Sequence, residues 1–362
     1  MNRPVPAAAP VHSLAQVLAR PGTRTVLLAG SRDPNAKATI VLLDDHGPAF
    51  MVKVPTTARA AQVVRREGDL LYALHRMGLG ALAGTVPRPT GYLDADGLPA
   101  LVTTALAGTP MTVTYHAWRH TARPRRVRAD FAAAARWLAT LQSRTAGRTA
   151  PVTLLHDAVD VMAMRFPDHP SWRPLRRELI RAADRLSLCR TPRTVVHGDY
   201  WFGNLLVAGE RVAGVVDWEA GALSGEPLRD VARLAVSYAL YLDRHVRPGG
   251  RVPGHPGLRA DSWGAGLLHA GRGRGWFVGV VRDYTCAALD RLGVPGSMWR
   301  DVLLAGIADV AADADHPDFA RAHLELLVEL TGAGRPSATY QRVAGRMAVV
   351  DGAPDASPGA AR

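Results

Sequence analysis

The chain has 362 residues, long for one small domain and suited to one large domain or to two lobes that share a cleft. Apolar residues make up 48% of it, enough for a substantial core, and no run of about 18 uncharged apolar residues is present to span a membrane. Met1 to Pro10 carries one arginine among alanines and prolines but no apolar stretch, so no signal peptide is expected. Cys189 and Cys286 form neither a disulfide framework nor a metal-ligand spacing. These features predict a reduced, cytoplasmic protein with no membrane partner.

The net charge of +12 is not a nucleic-acid signature. Of 44 basic residues only Lys37 and Lys53 are lysines, and alanine, glycine and proline are abundant, so arginine stands wherever a positive charge is tolerated. Apart from Arg123, Arg125, Arg126 and Arg128 the arginines are scattered, with no interleaved aromatics and no reading motif, and no nucleic-acid partner is expected. Where arginine has replaced nearly every lysine, the two that remain are singled out.

Residues 1–22 read as an N-terminal extension, partly disordered, with a short amphipathic helix over Val11 to Ala19. Thr25 to Ala29, Ala38 to Leu43 and Phe50 to Val54 read as strands, with Asp44-Asp45-His46-Gly47 turning the second into the third. Thr56 or Thr57 caps a helix to about Met77, with Val63, Leu70, Leu71 and Leu74 on one face. Pro87-Arg88-Pro89 breaks the chain before two further strands, Thr90 to Leu93 and Ala100 to Thr104. From about Gly108 the pattern turns helical. Phe131, Ala135, Leu138 and Leu141 share one face, and Leu175, Leu179, Ala182 and Leu186 another. A compact strand insertion follows at Val195-Val196, Leu205 to Val207 and Val212 to Val216, with a turn at Ala208-Gly209-Glu210. Pro227 to Leu242 is helical, Gly249 to Gly275 reads as a long loop or lid, and helices return at about Phe277 to Leu292, Trp299 to Ala312 and Phe319 to Leu330. The fold class is α+β. The expected division is an N-terminal lobe at 23–104, a hinge at about 103–108, a helical lobe at 105–350 and a disordered tail at 351–362.

The chemistry concentrates in His197-Gly198-Asp199-Tyr200-Trp201-Phe202-Gly203-Asn204 and, after the hairpin, Asp217-Trp218-Glu219. An aspartate and an asparagine flank a loop that leaves one strand for the next, and a second aspartate ends the returning strand. Phosphoryl transfer needs such a set: one carboxylate to meet the attacking hydroxyl, and two oxygen ligands to hold magnesium against the phosphates. The hairpin brings Asn204 and Asp217 together, so they can share a metal while Asp199 faces the acceptor. Turn chemistry alone would not select this order of residue types.

The segment resembles the catalytic and metal-binding loops of the aminoglycoside phosphotransferase and choline kinase-like family, relatives of the protein kinases. The resemblance runs from about Leu27 to Leu240. It implies a bilobal protein kinase-like fold, with a small antiparallel N-lobe carrying one helix and a larger helical C-lobe. It implies ATP or GTP with Mg2+ as cofactors, Asp199 as catalytic base, and Asn204 and Asp217 as metal ligands. His197 and Asp230 would support the loop from beneath. Lys53, closing the strand Phe50-Met51-Val52-Lys53-Val54, resembles the lysine that pairs with the α- and β-phosphates. Glu67 matches the helix glutamate that orients it, with Asp69 as the competing choice. The phosphate-covering loop from Gly30 to Lys37 departs from the protein-kinase pattern and carries one glycine, leaving Ser31, Asn35 and Lys37 as the groups for phosphate contact. The backbone of Thr103, Thr104, Ala105 and Leu106 would read the nucleotide base.

Trp201, Phe202, Glu219 and Asp243 lie where an acceptor would dock, and Trp201 and Phe202 are suited to stacking on a sugar ring or to core packing. The basic balance favours a neutral or anionic hydroxylated small molecule over a polycation. Antibiotic resistance and phosphorylation of a sugar or alcohol metabolite fit the sequence equally. Two other classes stay open: a kinase-fold enzyme acting on a peptide in natural-product maturation, and a catalytically inactive nucleotide-binding scaffold. An A-P-E activation segment is absent, against an ordinary protein kinase, and the complete Lys53, Asp199, Asn204, Asp217 set stands against a scaffold.

Overall fold

The computed structural model describes residues 13–19, 22, 24–28 and 36–334. The stretch before Ser13, the loop positions Ser31 and Asn35, and the C-terminal tail fall outside them.

Alternating apolar residues and a tight turn build the first sheet. After a short helix α1 (Leu14–Leu18), strands β1 (Arg24–Leu28), β2 (Lys37–Asp44) and β3 (Gly47–Pro55) run antiparallel. The Asp44 carboxylate accepts the His46 N–H at 2.7 Å and closes the β2–β3 turn, where Gly47 takes φ +123°. Thr57, not Thr56, caps α2 (Ala58–Arg76), accepting from Ala60 N at 3.0 Å. The helix buries Val63, Val64, Leu70, Leu71 and Leu74 beneath the sheet. β4 (Pro89–Ala95) and β5 (Leu98–Thr104) complete an antiparallel sheet of order β1-β2-β3-β5-β4.

After β5 the chain makes β6 (Thr109–Pro110), α3 (Met111–Tyr115) and α4 (Pro124–Arg144). It continues through β7 (Thr149–Pro151), α5 (Leu154–Arg165), α6 (Trp172–Ser187) and β8 (Arg190–Pro192), which pairs with β7. The catalytic segment lies between β9 (Thr194–Val196) and the hairpin of β10 (Leu205–Ala208) and β11 (Arg211–Val215), and β12 (Ala222–Gly225) pairs back on β9. β6 adds to the hairpin through Leu206↔Pro110 and Val207↔Thr109, which ties the loop between β9 and β10 to the residues just past β5. Helices α7 (Leu228–Leu240), α8 (Ala265–Arg272), α9 (Trp276–Arg291), α10 (Trp299–Asp313) and α11 (Pro317–Thr331) finish the larger lobe around one continuous core. The architecture is the bilobal, kinase-like α+β fold.

Two elements correct the sequence reading. The segment 249–275 is not a lid: α8 lies inside it, with Leu267 and Ala270 fully buried and Gly266 so close to α7 that a Cβ would meet the Ala239 carbonyl at 2.2 Å. His255, in the same segment, is 3% exposed, and its Nε2 donates to the Thr121 carbonyl at 2.8 Å. Helix α5 was not anticipated. It packs on α6 and α10 through Leu155, Val159 and Met162, each at most 1% exposed.

Candidate active site

The loop between β9 and β10 is held from below by one buried carboxylate. Asp230, on the first turn of α7 and fully buried, accepts the backbone N–H groups of His197 at 2.7 Å and Gly198 at 2.9 Å. His197 donates from Nε2 to the Val216 carbonyl at 2.9 Å and accepts the Asp199 N–H on Nδ1 at 3.3 Å, so one ring spans the two arms of the loop. Gly198 takes φ +79°, and a Cβ there would lie 2.1 Å from the Ala220 carbonyl oxygen, a position no side chain fits.

Asp199 is thereby presented at the loop's crest. Asn204 donates from Nδ2 to the Asp199 carbonyl at 3.0 Å and to its Oδ2 at 3.1 Å. That orientation leaves the Asn204 amide oxygen for another partner. The other carboxylate oxygen of Asp199 accepts from Arg233 Nε at 2.7 Å. Sequence reasoning missed Arg233, because arginine is everywhere in this chain. Its position three residues after Asp230 on α7, one helical turn on, is the signal that could have found it.

Across the cleft, Lys53 donates to both Glu67 carboxylate oxygens, at 2.6 and 2.7 Å, and to Asp217 Oδ1 at 2.6 Å. Burial alone would push the Lys53 ammonium down, but Asp217 and Glu67 outweigh it and hold it above its ordinary value. Burial likewise opposes ionisation of Asp217, and Lys53 and Lys37 overcome it and hold that carboxyl below its usual range. Glu67 is 2% exposed and also accepts the Trp218 N–H at 3.1 Å. Asp69 is exposed on the opposite side of α2, which resolves the choice between the two acids. Asp217 sits at φ +67°, a left-handed conformation that aspartate tolerates better than most residues. Lys37, opening β2, pairs with Glu219, so two lysines of the small lobe reach two acids of the Asp217-Trp218-Glu219 run.

These groups line one cleft of about 650 Å³ between the lobes. Its walls include Lys37, Lys53, Glu67, Asn204, Asp217 and Glu219, with Thr103, Thr104, Ala105 and Leu106 along the hinge. Within the hinge the Thr104 N–H is taken by the Arg88 carbonyl and the Ala105 N–H by Ala49, both at 2.9 Å. The Leu106 N–H has no backbone partner among the described residues. Glu67, Asp217 and Glu219 bring one carboxylate oxygen each within 4.8 Å of one another. With the Asn204 amide oxygen on the same wall, the donor set is all hard oxygen and suits Mg2+ rather than a thiophilic metal.

Of the residues anticipated for the acceptor side, Phe202 is not available. It is 1% exposed and stacks on Tyr115 at 4.4 Å, so it packs the large lobe. Trp201 is half-buried and tilts on Tyr241, covering Gly203 so closely that a Cβ there would enter its ring. Asp243 is partly buried just past α7, and burial pushes its carboxyl up to about 6.

A two-lobed fold with a lysine–glutamate pair above the cleft and an Asp–Asn–Asp set below it defines the class of kinase-like phosphotransferases. The comparison with family models agrees: residues 34–273, more than half of the chain, match the phosphotransferase enzyme family (APH), and the chain belongs to it. It is a small-molecule kinase. Among solved structures it is similar to aminoglycoside phosphotransferase APH(2'')-IIa in a ternary complex with streptomycin and ATP. That match has 12% identity over 87% of this chain and 94% of the other, with a TM-score of 0.47. It is also similar to the macrolide 2'-phosphotransferase MphH of Brachybacterium faecium, at 18% identity over 85% and 96% and a TM-score of 0.48. No curated protein matches it. Among the described residues no helix is long and apolar enough to cross a membrane.

Proposed function

We propose that the protein transfers the γ-phosphoryl group of ATP to a hydroxyl of a small molecule, with Asp199 as the base. The observation that carries this reading is the convergence of Lys53, Glu67, Asn204 and Asp217 on one cleft large enough for a nucleotide, with Asp199 bonded to Asn204 at 3.1 Å beside it. The Leu106 N–H is the hinge donor for the adenine, and the small lobe ends at the hinge, near residues 103–108. Lys53, oriented by Glu67, meets the α- and β-phosphates, and Lys37 reaches the phosphates from the start of β2.

Asp217 and the Asn204 amide oxygen would hold Mg2+, with Glu219 adjacent. Bound there, the ion neutralises charge on the β- and γ-phosphates. The acceptor oxygen forms a bond to the γ-phosphorus while the bond from that phosphorus to the bridging oxygen breaks, and the electron pair leaves with ADP. The hydroxyl proton passes to Asp199 and then to solvent. Because the transition state is loose, Asp199 acts by orienting the hydroxyl and taking its proton late. The Arg233 and Asn204 contacts fix the carboxylate in the rotamer this requires.

The complete site favours an enzyme over an inactive scaffold. Measuring ADP release across a panel of hydroxylated acceptors at fixed magnesium tests the reading. Asp199→Asn, which keeps shape but not charge, is expected to retain ATP binding and to lose turnover by about a thousandfold, the middle of the range for a general base. Equal turnover by the variant would show that Asp199 is not the base.

A further inference from the structure

We propose that Arg233 selects the acceptor by binding an oxyanion, a carboxylate or phosphate, one or two carbons from the hydroxyl that is phosphorylated. The inference rests on the assignment of Asp199 as base and names the substrate class for that same site.

Arg233 projects from α7, the helix that also carries the loop-bracing Asp230, so its backbone is fixed relative to Asp199. The side chain is 24% exposed and the Asp199 side chain 29%, so both stand at the margin of solvent rather than sealed beneath the loop. The guanidinium makes one hydrogen bond among the described residues, from Nε to Asp199 Oδ1. Both terminal nitrogens therefore have no acceptor among the described residues. Four outward N–H bonds on a side chain three-quarters out of water are donors waiting for an acceptor-only group, and the planar fork matches carboxylate and phosphate in particular.

The neighbouring charges point the same way. Five acids of this region already have a cation: Asp217 has Lys53, Glu219 has Lys37, Asp309 and Asp313 share Arg229, and Glu226 has Arg193. Asp230 is taken up by two backbone N–H groups, which leaves Asp243, partly buried past α7, as the acid of this region with no ion pair among the described residues, whereas Arg233 beside Asp199 has donors to spare. Nε and the two Nη nitrogens are joined to one carbon, so a group held on Nη lies beside a hydroxyl held on Asp199. That geometry places the anionic group on the carbon adjacent to the reacting hydroxyl or on the next one. The transfer step is unchanged. The oxyanion keeps its charge throughout and serves to bind and orient.

The test uses the full chain with MgATP and matched acceptors: glycerate, glycerol 3-phosphate, the neutral glyceramide and glycerol, and the cationic 2-amino-1,3-propanediol. ADP release gives kcat and KM for wild type, Arg233→Gln, Arg233→Lys and Asp199→Asn, with thermal melts to verify folding. Wild type is expected to favour the anionic members. Arg233→Gln is expected to lower the anionic-to-neutral ratio of kcat/KM by about ten- to a hundredfold, the size of a charge-assisted hydrogen bond, chiefly through KM. Arg233→Lys should restore part of the ratio. The separate responses of glycerate and glycerol 3-phosphate tell carboxylate from phosphate.

The inference is overturned if wild type uses neutral or cationic acceptors as well as anionic ones, or uses none of the panel. It is equally overturned if Arg233→Gln lowers kcat by one factor for every acceptor with KM unchanged, since Arg233 would then only position Asp199. Failure of the underlying reading has a different sign: Asp199→Asn would turn over like wild type, whatever Arg233 does.

Discussion

Glu67 keeps its carboxylate almost wholly out of water, and Lys53 is the cation that makes that burial tolerable. Removing the cation leaves an uncompensated charge in the core, so Lys53→Met is expected to destabilise the protein by about 3–5 kcal/mol. The double variant Lys53→Met/Glu67→Gln should recover most of that loss, because glutamine keeps an oxygen for the Trp218 N–H. Urea melts of the three proteins test this, and a double variant no more stable than Lys53→Met would show that the pair is not the source of the cost. Lysine stood out in the sequence because arginine had replaced it nearly everywhere else. Glu67 was legible only through the family resemblance, with Asp69 competing, although it falls in the buried stripe Val63, Glu67, Leu70, Leu71, Leu74, where an acid needs a partner. Arg233 had no such contrast, since one more arginine on a helix carries no information in this chain. Phe202 and Trp201 were ambiguous for want of a tertiary context, as both roles ask for the same residue type.

At the scale of elements, the loop from β9 to β10 keeps its shape through contacts with α7 as well as through its own hydrogen bonds. Asp230 accepts the two N–H groups on separate oxygens, and an asparagine would turn an NH2 donor toward one of them. Asp230→Asn is expected to cost about 2 kcal/mol and to free the amides of His197 and Gly198 for hydrogen exchange, while α6 and α10 keep their protection. Exchange lost evenly across the lobe would instead mean that Asp230 serves global packing. The strands of the small lobe and the β10–β11 hairpin were readable because alternation and turn residues are local signals. Helix α8 was hidden in a stretch rich in glycine and arginine. There Gly266 admits the close approach to α7, which composition reads as a loop and packing reads as a contact. Helix α5 lay in a stretch where no helix had been read, and its apolar residues find their partners only on α6 and α10.

For the molecule as a whole, the charge balance and the buried histidines together govern its response to acid. The chain carries +12 at neutral pH with its 13 histidines uncharged, so every histidine that protonates adds to a self-repulsion already present. Among the described residues five are lowered by burial: His245 and His269, His116 and His255, which fall to about 4, and His323, which has no exposed surface and falls to about 3. A histidine lowered in the fold contributes stability that is whole above its unfolded value of 6.5 and drains away as pH falls toward the folded value. Asp243 and Asp309 oppose this. Burial raises each to about 6, so the fold holds their protons more tightly and gains as pH falls from there toward 3.8. Losses and gains of both signs overlap in the acid range, which masks the individual groups in wild type. His323 can be isolated by difference. Its Nδ1 donates to the Phe319 carbonyl at 2.9 Å, its Nε2 is buried with no partner, and Trp263 and Phe319 pack against the ring. His323→Phe removes the titrating group and keeps an aromatic of similar size. Below pH 6.5 the stability of wild type relative to this variant should therefore fall by about 1.4 kcal/mol per pH unit. Urea melts from about pH 8 down to about pH 4 read that difference directly, and a difference that stays flat would mean that His323 protonates as easily in the fold as in the unfolded chain.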